Sequence, residues 1–168
     1  MPTIIVRHSE QRDIGAVKQI YEGSKAYSGT LQLPFPSFEK WEKRLSALPE
    51  GFYSLVAEVD DAVVGHIGLE TMPNPRRKHA ASIGMAVRET FHGQGVGSNL
   101  LRSAIDLAEN WLSITRIELI VYVDNDAAIE LYRRYGFETE GRLIAYAFRN
   151  GMYVDAFQMA KVRTPEIS

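Results

Sequence analysis

Between Val96 and Trp111, the apolar residues Val96, Leu100, Leu101, Ile105 and Ala108 recur at three- and four-residue intervals. That spacing lines them along one face of a helix. The same period predicts a helix after Asp13, with Ile14, Val17, Ile20 and Tyr21 inward and Asp13 as its N-cap. Another follows Ser37, again a cap residue, with Phe38, Trp41 and Leu45 on one face. A further helix spans Asp126 to Tyr135, with Ala128, Leu131, Tyr132 and Tyr135 inward and Gly136 as its stop.

Elsewhere the pattern shortens to β-branched runs, which read as strands: Ile4 to His8, Phe52 to Val59, Ala62 to Glu70, His79 to Val87, Arg116 to Val123, Phe137 to Phe148 and Met152 to Val162. Asp60-Asp61 joins one pair as a hairpin, and Asn150-Gly151 is a stronger hairpin signal for the last pair. The stretches Tyr27 to Ser37 and Thr71 to Lys78 hold prolines and read as loops, and the tail after Arg163 reads as loose. No repeat, low-complexity segment or linker interrupts the chain. One α+β domain spanning residues 1–168 follows, with the late strand-helix-strand-helix part at its centre.

Composition narrows the function more than the fold. A chain of 168 residues suits one domain. Its net charge of -2 leaves no basic excess for general nucleic-acid binding. There is no cysteine, which excludes disulfides, thiolate metal sites and a cysteine nucleophile. No apolar run approaches the roughly 20 residues of a membrane span. The N-terminal Met1-Pro2-Thr3-Ile4-Ile5-Val6-Arg7-His8 lacks the basic start and long apolar stretch of a signal peptide. The expectation is a cytoplasmic protein with no membrane partner.

The candidate chemistry lies in two segments. His92-Gly93-Gln94-Gly95-Val96-Gly97 sits between a strand and the strongest helix. Such a turn aims backbone N–H groups at an anion, and the helix dipole adds favourable potential. Gly95 and Gly97 lack a Cβ and allow phosphate oxygens near the main chain, while Ser98 offers a hydroxyl. A tight strand-to-helix turn with no ligand has the same glycines. No Lys-Ser/Thr pair follows, so this is not a Walker A loop. The second segment is Asn125-x-x-Ala128-x-x-Leu131-Tyr132-x-x-x-Gly136-Phe137.

The run Val87 to Leu101 resembles the acetyl-CoA pyrophosphate loop of the GNAT superfamily of N-acetyltransferases, Gln/Arg-x-x-Gly-x-Gly/Ala. Gly95 and Gly97 match, and His92 stands where the family usually has Gln or Arg. The second segment is similar to the family's other signature without departure. The resemblance implies a mixed, mostly antiparallel central sheet flanked by helices, the GNAT-like acyl-CoA N-acyltransferase fold. It gives Asn125 a contact to the pantetheine arm and Ala128 the small residue that lets the arm pass. It gives Tyr132 a place near the thioester sulfur, as proton donor to the departing thiolate. Local physics also allows Asn125 to be a plain N-cap and Tyr132 a packed core residue. By the same resemblance Met85, Ala86 and Val87 offer backbone groups to the pantetheine, and a splay between their strand and Arg116 to Val123 makes room for it. Acetyl-CoA is the implied cosubstrate, with no metal.

Many family members carry a general base as a Glu on the strand that here runs from His79 to Val87, which has no carboxylate. Glu70, Glu118 and His79 are the candidates, each with a bland reading as a surface or structural polar residue. A water chain is a further route, because an α-amine, with a pKa of about 8, sheds its proton more readily than a lysine at about 10.4. The segment Thr30 to Pro34 and the stretch Asn110 to Lys161 resemble a bacterial group of amino-acid N-acetyltransferases. On that footing Tyr27, Thr30, Leu31 and Gln32 are candidate acceptor contacts, or else a packed or solvated loop. Arg76-Arg77-Lys78 would attract an acceptor carboxylate or a CoA phosphate, or simply face water.

The expected function is direct acetyl transfer from acetyl-CoA to a primary amine, a free amino acid or related small molecule. The alternatives are a protein N-terminal or lysine acetyltransferase and a non-catalytic acetyl-CoA sensor. The last hairpin suggests a homodimer by family analogy alone.

Overall fold

In the computed structural model, residues 2–23, 26, 29–164 and 167 are described. Among them seven strands form one sheet: β1 (Ile4–His8), β2 (Phe52–Val59), β3 (Ala62–Thr71), β4 (Ala80–Val87), β5 (Arg116–Tyr122), β6 (Glu138–Arg149) and β7 (Met152–Val162). Their order is β1-β2-β3-β4-β5-β7-β6. Only β4 and β5 pair in parallel among the registers that define the sheet. The helices are α1 (Ile14–Glu22), α2 (Phe38–Ser46), α3 (Val96–Asp106) and α4 (Asp126–Arg134). Contacts divide the chain into two units interleaved along the sequence, Met1–Glu70 with Gly84–Ala104, and Thr71–Ile83 with Ile105–Ser168.

In the first unit β1 pairs antiparallel with β2, and β2 with β3. The β2–β3 turn holds Asp60 and Asp61 at φ 49° and 64°. Two successive left-handed residues match the twist of a two-residue hairpin, and Asp tolerates that region better than most. Ile14, Val17, Ile20 and Tyr21 of α1 pack with Trp41, Val56, Val63 and Ala86. At Gly65 a Cβ would come within 2.8 Å of the Leu100 and Val96 side chains, so glycine lets α3 lie close on β3. Asp13 does not cap α1 with its side chain as expected. Its Oδ2 accepts from the Glu10 backbone at 2.7 Å, and its two oxygens accept from Arg7 at 2.7 and 2.9 Å. Burial raises the Asp13 pKa, but these bonds and the Arg7 charge outweigh it and hold the carboxyl below its usual range. Ser37 does cap α2, accepting from Lys40 N at 3.5 Å. Of the expected inward face of α2, Trp41 is buried and Leu45 packs partly buried against the same core, while Phe38 is about half exposed.

In the second unit the first half of β4 pairs with β5 from Ala80 opposite Arg116 to Ser82 opposite Glu118. β5 then pairs with β7 along its whole length. The β6–β7 turn is the expected Asn150-Gly151, at φ 48° and 74°. Ile117, Leu119, Val121, Phe137, Ala156 and Met159 are buried. On α4 the buried side chains are Ile129 and Tyr132, whereas Ala128, Leu131 and Tyr135 are only partly covered. The helix expected to reach Trp111 rewinds as a π turn over Leu107–Trp111. There Arg163 Nη2 donates to the Glu109 carbonyl, and Lys161 Nζ donates to its carboxylate at 2.6 Å. A carbonyl drawn to a side chain in this way is one that regular α winding need not satisfy. In the β6–β7 register, Leu143 faces Ala156 and Ala147 faces Val154, so β6 carries two extra residues there.

Candidate active site

The loop before α3 is shaped by its main chain. A single turn at Glu89–Phe91 leads into Gly93 and Gly95, at φ 73° and 86°. Nothing lies within 4 Å of a Cβ built at Gly93, so backbone conformation rather than space requires glycine there. The loop's polar side chains turn onto its own carbonyls: Asn99 Nδ2 onto Gly95 O at 2.7 Å, and Gln94 Nε2 onto Thr90 O at 3.1 Å. The exposed His92 places Nε2 2.8 Å from Val87 O. The first backbone bond into α3 is Asn99 N to Gly95 O, at 3.0 Å. The N–H groups of Val96, Gly97 and Ser98 therefore precede the intrahelical ladder and face outward along the helix dipole. In its chemistry such a helix start can accept an anion. Of the strand residues expected to meet the pantetheine, Ala86 is buried in the first unit's core, Met85 and Val87 are partly exposed, and the Val87 carbonyl is engaged by His92.

The second unit carries the side chains of the other signature. Asn125 Oδ1 accepts from Ala128 N at 3.3 Å, so Asn125 is the N-cap of α4. Its own N–H donates to Tyr122 O at 3.0 Å, which fixes the turn leaving β5. Tyr132 is buried, with its ring edge-on to Phe137 at 5.7 Å between centroids. Burial pushes its phenol up to about 12, so it stays protonated at neutral pH.

The carboxylates named from sequence have very different settings. Glu70 is exposed near the end of β3, opposite Phe52. Glu118 is clamped: Oε1 accepts from Arg77 at 2.5 Å and Oε2 from Arg116 at 2.8 Å. Arg116 also binds Glu140, whose pKa that bond lowers. Both Glu118 oxygens are thereby engaged by guanidinium groups. His79 is exposed, and its carbonyl accepts from Thr115 and Arg116. Arg77 of the basic run is committed to Glu118, while Arg76 and Lys78 face solvent.

Of the candidate acceptor contacts, Tyr27 lies outside the described residues. Thr30 shapes its own loop, donating to Ala26 O at 2.8 Å and accepting from Gln32 N at 3.2 Å. Leu31 and Gln32 line an open groove of about 530 Å³ in the first unit, together with Phe35, Trp41 and the cations Lys40, Lys43 and Arg44. Arg44 lies over the Trp41 ring, 4.9 Å from its centroid. The sequence analysis did not single out these cations, which lie off the apolar spacing of Phe38, Trp41 and Leu45.

It also passed over His66. This buried side chain has Tyr21 Oη 2.9 Å from Nδ1 and Ser54 Oγ 2.9 Å from Nε2, and Ser9 Oγ donates to Ser54 Oγ at 2.7 Å. Tyr21 stacks on Trp41 at 4.7 Å, so the network backs a wall of the groove. Burial, with the Arg44 charge adding to it, lowers the His66 pKa to about 4 and keeps the ring neutral. The available signal was a lone histidine inside an otherwise apolar strand.

Among the described residues no cluster of three or more His, Asp or Glu is placed to hold a metal ion, and no helix is long and apolar enough to cross a membrane. The family model of the acetyltransferase (GNAT) family matches residues 17–137. The L-amino acid N-acetyltransferase AaaT of Escherichia coli (strain K12) is 46% identical over 163 residues, covering 97% of this chain and 100% of that protein. The crystal structure of ribosomal-protein-alanine N-acetyltransferase from Brucella melitensis superposes with a TM-score of 0.84 at 27% identity, over 95% of this chain and 99% of that one. A phosphinothricin acetyltransferase from Sinorhizobium meliloti in complex with acetyl-CoA gives 0.85 at 22% identity, over 95% and 88%. At that identity the second likeness is one of fold. The family model over residues 17–137 and the relative matched over nearly the whole chain place this chain in the acetyltransferase (GNAT) family, as an acetyl-CoA-dependent N-acetyltransferase.

Proposed function

We propose that the acceptor is a free amino acid, acetylated on its α-amine by direct attack. The observation that carries this reading is the first unit's groove, where Leu31, Gln32 and Trp41 stand beside Lys40, Lys43 and Arg44. Cations beside an apolar wall suit a substrate that joins a carboxylate to a side chain. The name of the Escherichia coli relative, matched over nearly the whole chain, supports the same acceptor class.

In the mechanism we infer, the free N–H groups at the start of α3 take the pyrophosphate, and Asn125 and Ala128 serve the pantetheine arm. The neutral amine attacks the thioester carbonyl. A C–N bond forms, the C–S bond breaks, and the surplus proton on nitrogen leaves. Tyr132 supports the departing sulfur. A thiol pKa is about 8.5, so outright proton transfer from a phenol at about 12 runs uphill by about 5 kcal/mol. Tyr132 therefore acts as a hydrogen-bond donor to the thiolate, and the nitrogen supplies the proton. Glu118 is structural in this scheme, and water carries the nitrogen's surplus proton to the thiolate.

We further infer that the interleaved units make up a single acetyltransferase domain, because the segment Thr71–Ile83 interrupts the first unit in sequence. The exposed Ile144, Phe148, Met152 and Tyr153 of the β6–β7 hairpin support a homodimer. Use of acetyl-CoA and free amino acids supports a cytoplasmic setting.

The test is thiol release from acetyl-CoA across free L-amino acids, polyamines and short peptides. The chain has no thiol of its own to add background. Turnover highest with free amino acids is expected. Turnover confined to peptides or polyamines would overturn the acceptor, and CoA binding with no turnover on any amine would favour a sensor.

A further inference from the structure

The two extra residues of β6 form a bulge with an unusual centre. Ala145 sits at φ 51°, a left-handed conformation that a residue with a Cβ adopts at a cost. Asp155, across the strand pair, holds it there: Oδ1 accepts from Ala145 N at 2.7 Å and Oδ2 from Arg142 Nε at 2.9 Å. The same residue reaches the other way through its main chain, where its carbonyl accepts from Val123 N at 3.1 Å. Three side-chain links run in parallel. Tyr146 of the bulge lies 6.4 Å from the Tyr122 ring, Arg149 lies over that ring at 5.1 Å, and Arg149 also pairs with Asp124. Every link ends on Tyr122-Val123-Asp124, the three residues that immediately precede Asn125. Asn125 is in turn tied to Tyr122 through its own N–H.

A strained bulge persists only where its surroundings over-determine it, and bulges beside functional sites re-aim the chain. Here the hold is specific, a carboxylate aimed at the amide of the strained residue, and the element it braces is the turn that presents Asn125. Nothing in the core of the second unit asks for this device, because Ile144 and Ala145 are exposed.

We propose that Asp155 is a positioning residue for acetyl-CoA: by pinning the β6 bulge against the Tyr122–Asp124 turn, it sets where Asn125 meets the pantetheine arm. The inference rests on the reading of Asn125 as a pantetheine contact.

The experiment is calorimetric titration with CoA, together with KM for acetyl-CoA and for the acceptor, on Asp155→Ala, Asp155→Asn, Asp155→Ala with Ala145→Gly, and Asn125→Ala. Asp155→Ala is expected to weaken CoA by about tenfold and raise KM for acetyl-CoA in step, with kcat and the acceptor KM within about twofold. Asp155→Asn keeps an oxygen for the Ala145 amide and is expected to bind CoA within about threefold of the native chain. Glycine at 145 adopts the left-handed conformation without being held, so the double variant is expected to recover most of the lost affinity. Asn125→Ala weakening CoA while Asp155→Ala leaves it unchanged would overturn the positioning role and spare the Asn125 reading. An Asn125→Ala chain of native affinity would overturn that reading itself. Loss in Asp155→Ala that Ala145→Gly does not restore would show that Asp155 does not act through the bulge.

Discussion

The loop before α3 and the start of α4 are built in opposite ways. The loop works through its main chain: two left-handed glycines and the outward N–H groups of Val96, Gly97 and Ser98, with its polar side chains folded back on loop carbonyls. The start of α4 is built from side chains, Asn125 as cap and Tyr132 buried against Phe137. On the proposed reading the loop's chemistry does not depend on the side chain at His92, whereas that of the second segment depends on Asn125 and Tyr132. A site made of amides constrains conformation, and a site made of side chains constrains identity.

The largest effect is expected where conformation is the function. Gly95→Val meets a φ of 86° that a β-branched residue does not accept, and it should lower acetyl-CoA affinity by at least about a hundredfold in a calorimetric titration. Undiminished affinity would remove the loop from the cosubstrate site. Next comes Tyr132→Phe, which keeps the packing on Phe137 and deletes only the donor. At saturating substrates kcat should fall by about thirtyfold with acetyl-CoA affinity little changed, the worth of a hydrogen bond to a charged group. Retained kcat, in a regime limited by chemistry, would strip Tyr132 of its role.

A third prediction concerns the wall of the first unit's groove, the proposed acceptor site. His66 is neutral in the folded chain down to about pH 4 but titrates near its ordinary value of 6.5 when unfolded. Between those values the unfolded chain binds more protons, so stability is whole above about pH 6.5 and falls as the pH drops towards about 4. The loss is of the order of 3 kcal/mol. Urea unfolding from pH 7 to 4.5 should show this slope in the native chain and a flatter one in His66→Gln; equal slopes would mean that His66 is not the group responsible. The smallest effect is expected at His92. Its exposed ring bonds a single carbonyl, so His92→Ala should change KM for acetyl-CoA by less than about threefold.

Sequence periodicity located the strands and helices because apolar spacing and turn chemistry are local. Asp60-Asp61 and Asn150-Gly151 supply the positive φ values that two-residue hairpins need, and the structure uses both. Ser37 and Asn125 cap the helices assigned to them. What local pattern could not show was pairing across long sequence separations. Glu118 stood in the sequence as either a candidate base or a structural polar residue, and its pairing with Arg77, forty-one positions away, has no local signal. Asp13 looked like a cap until Arg7 and the Glu10 amide claimed it. The bulge at Ala145 has no signature of its own, since no glycine marks it; it depends on Asp155 on the next strand. His66 and its hydroxyl partners come from separate elements, and only folding brings them together.

Direct transfer from acetyl-CoA to an amine is most plainly tested by initial rates of thiol release over a grid of acetyl-CoA and amino-acid concentrations. Direct attack in a ternary complex predicts double-reciprocal lines that intersect, with no thiol released before the amine is added. Parallel lines, with a burst of thiol from acetyl-CoA alone, would show an acyl-enzyme and contradict it.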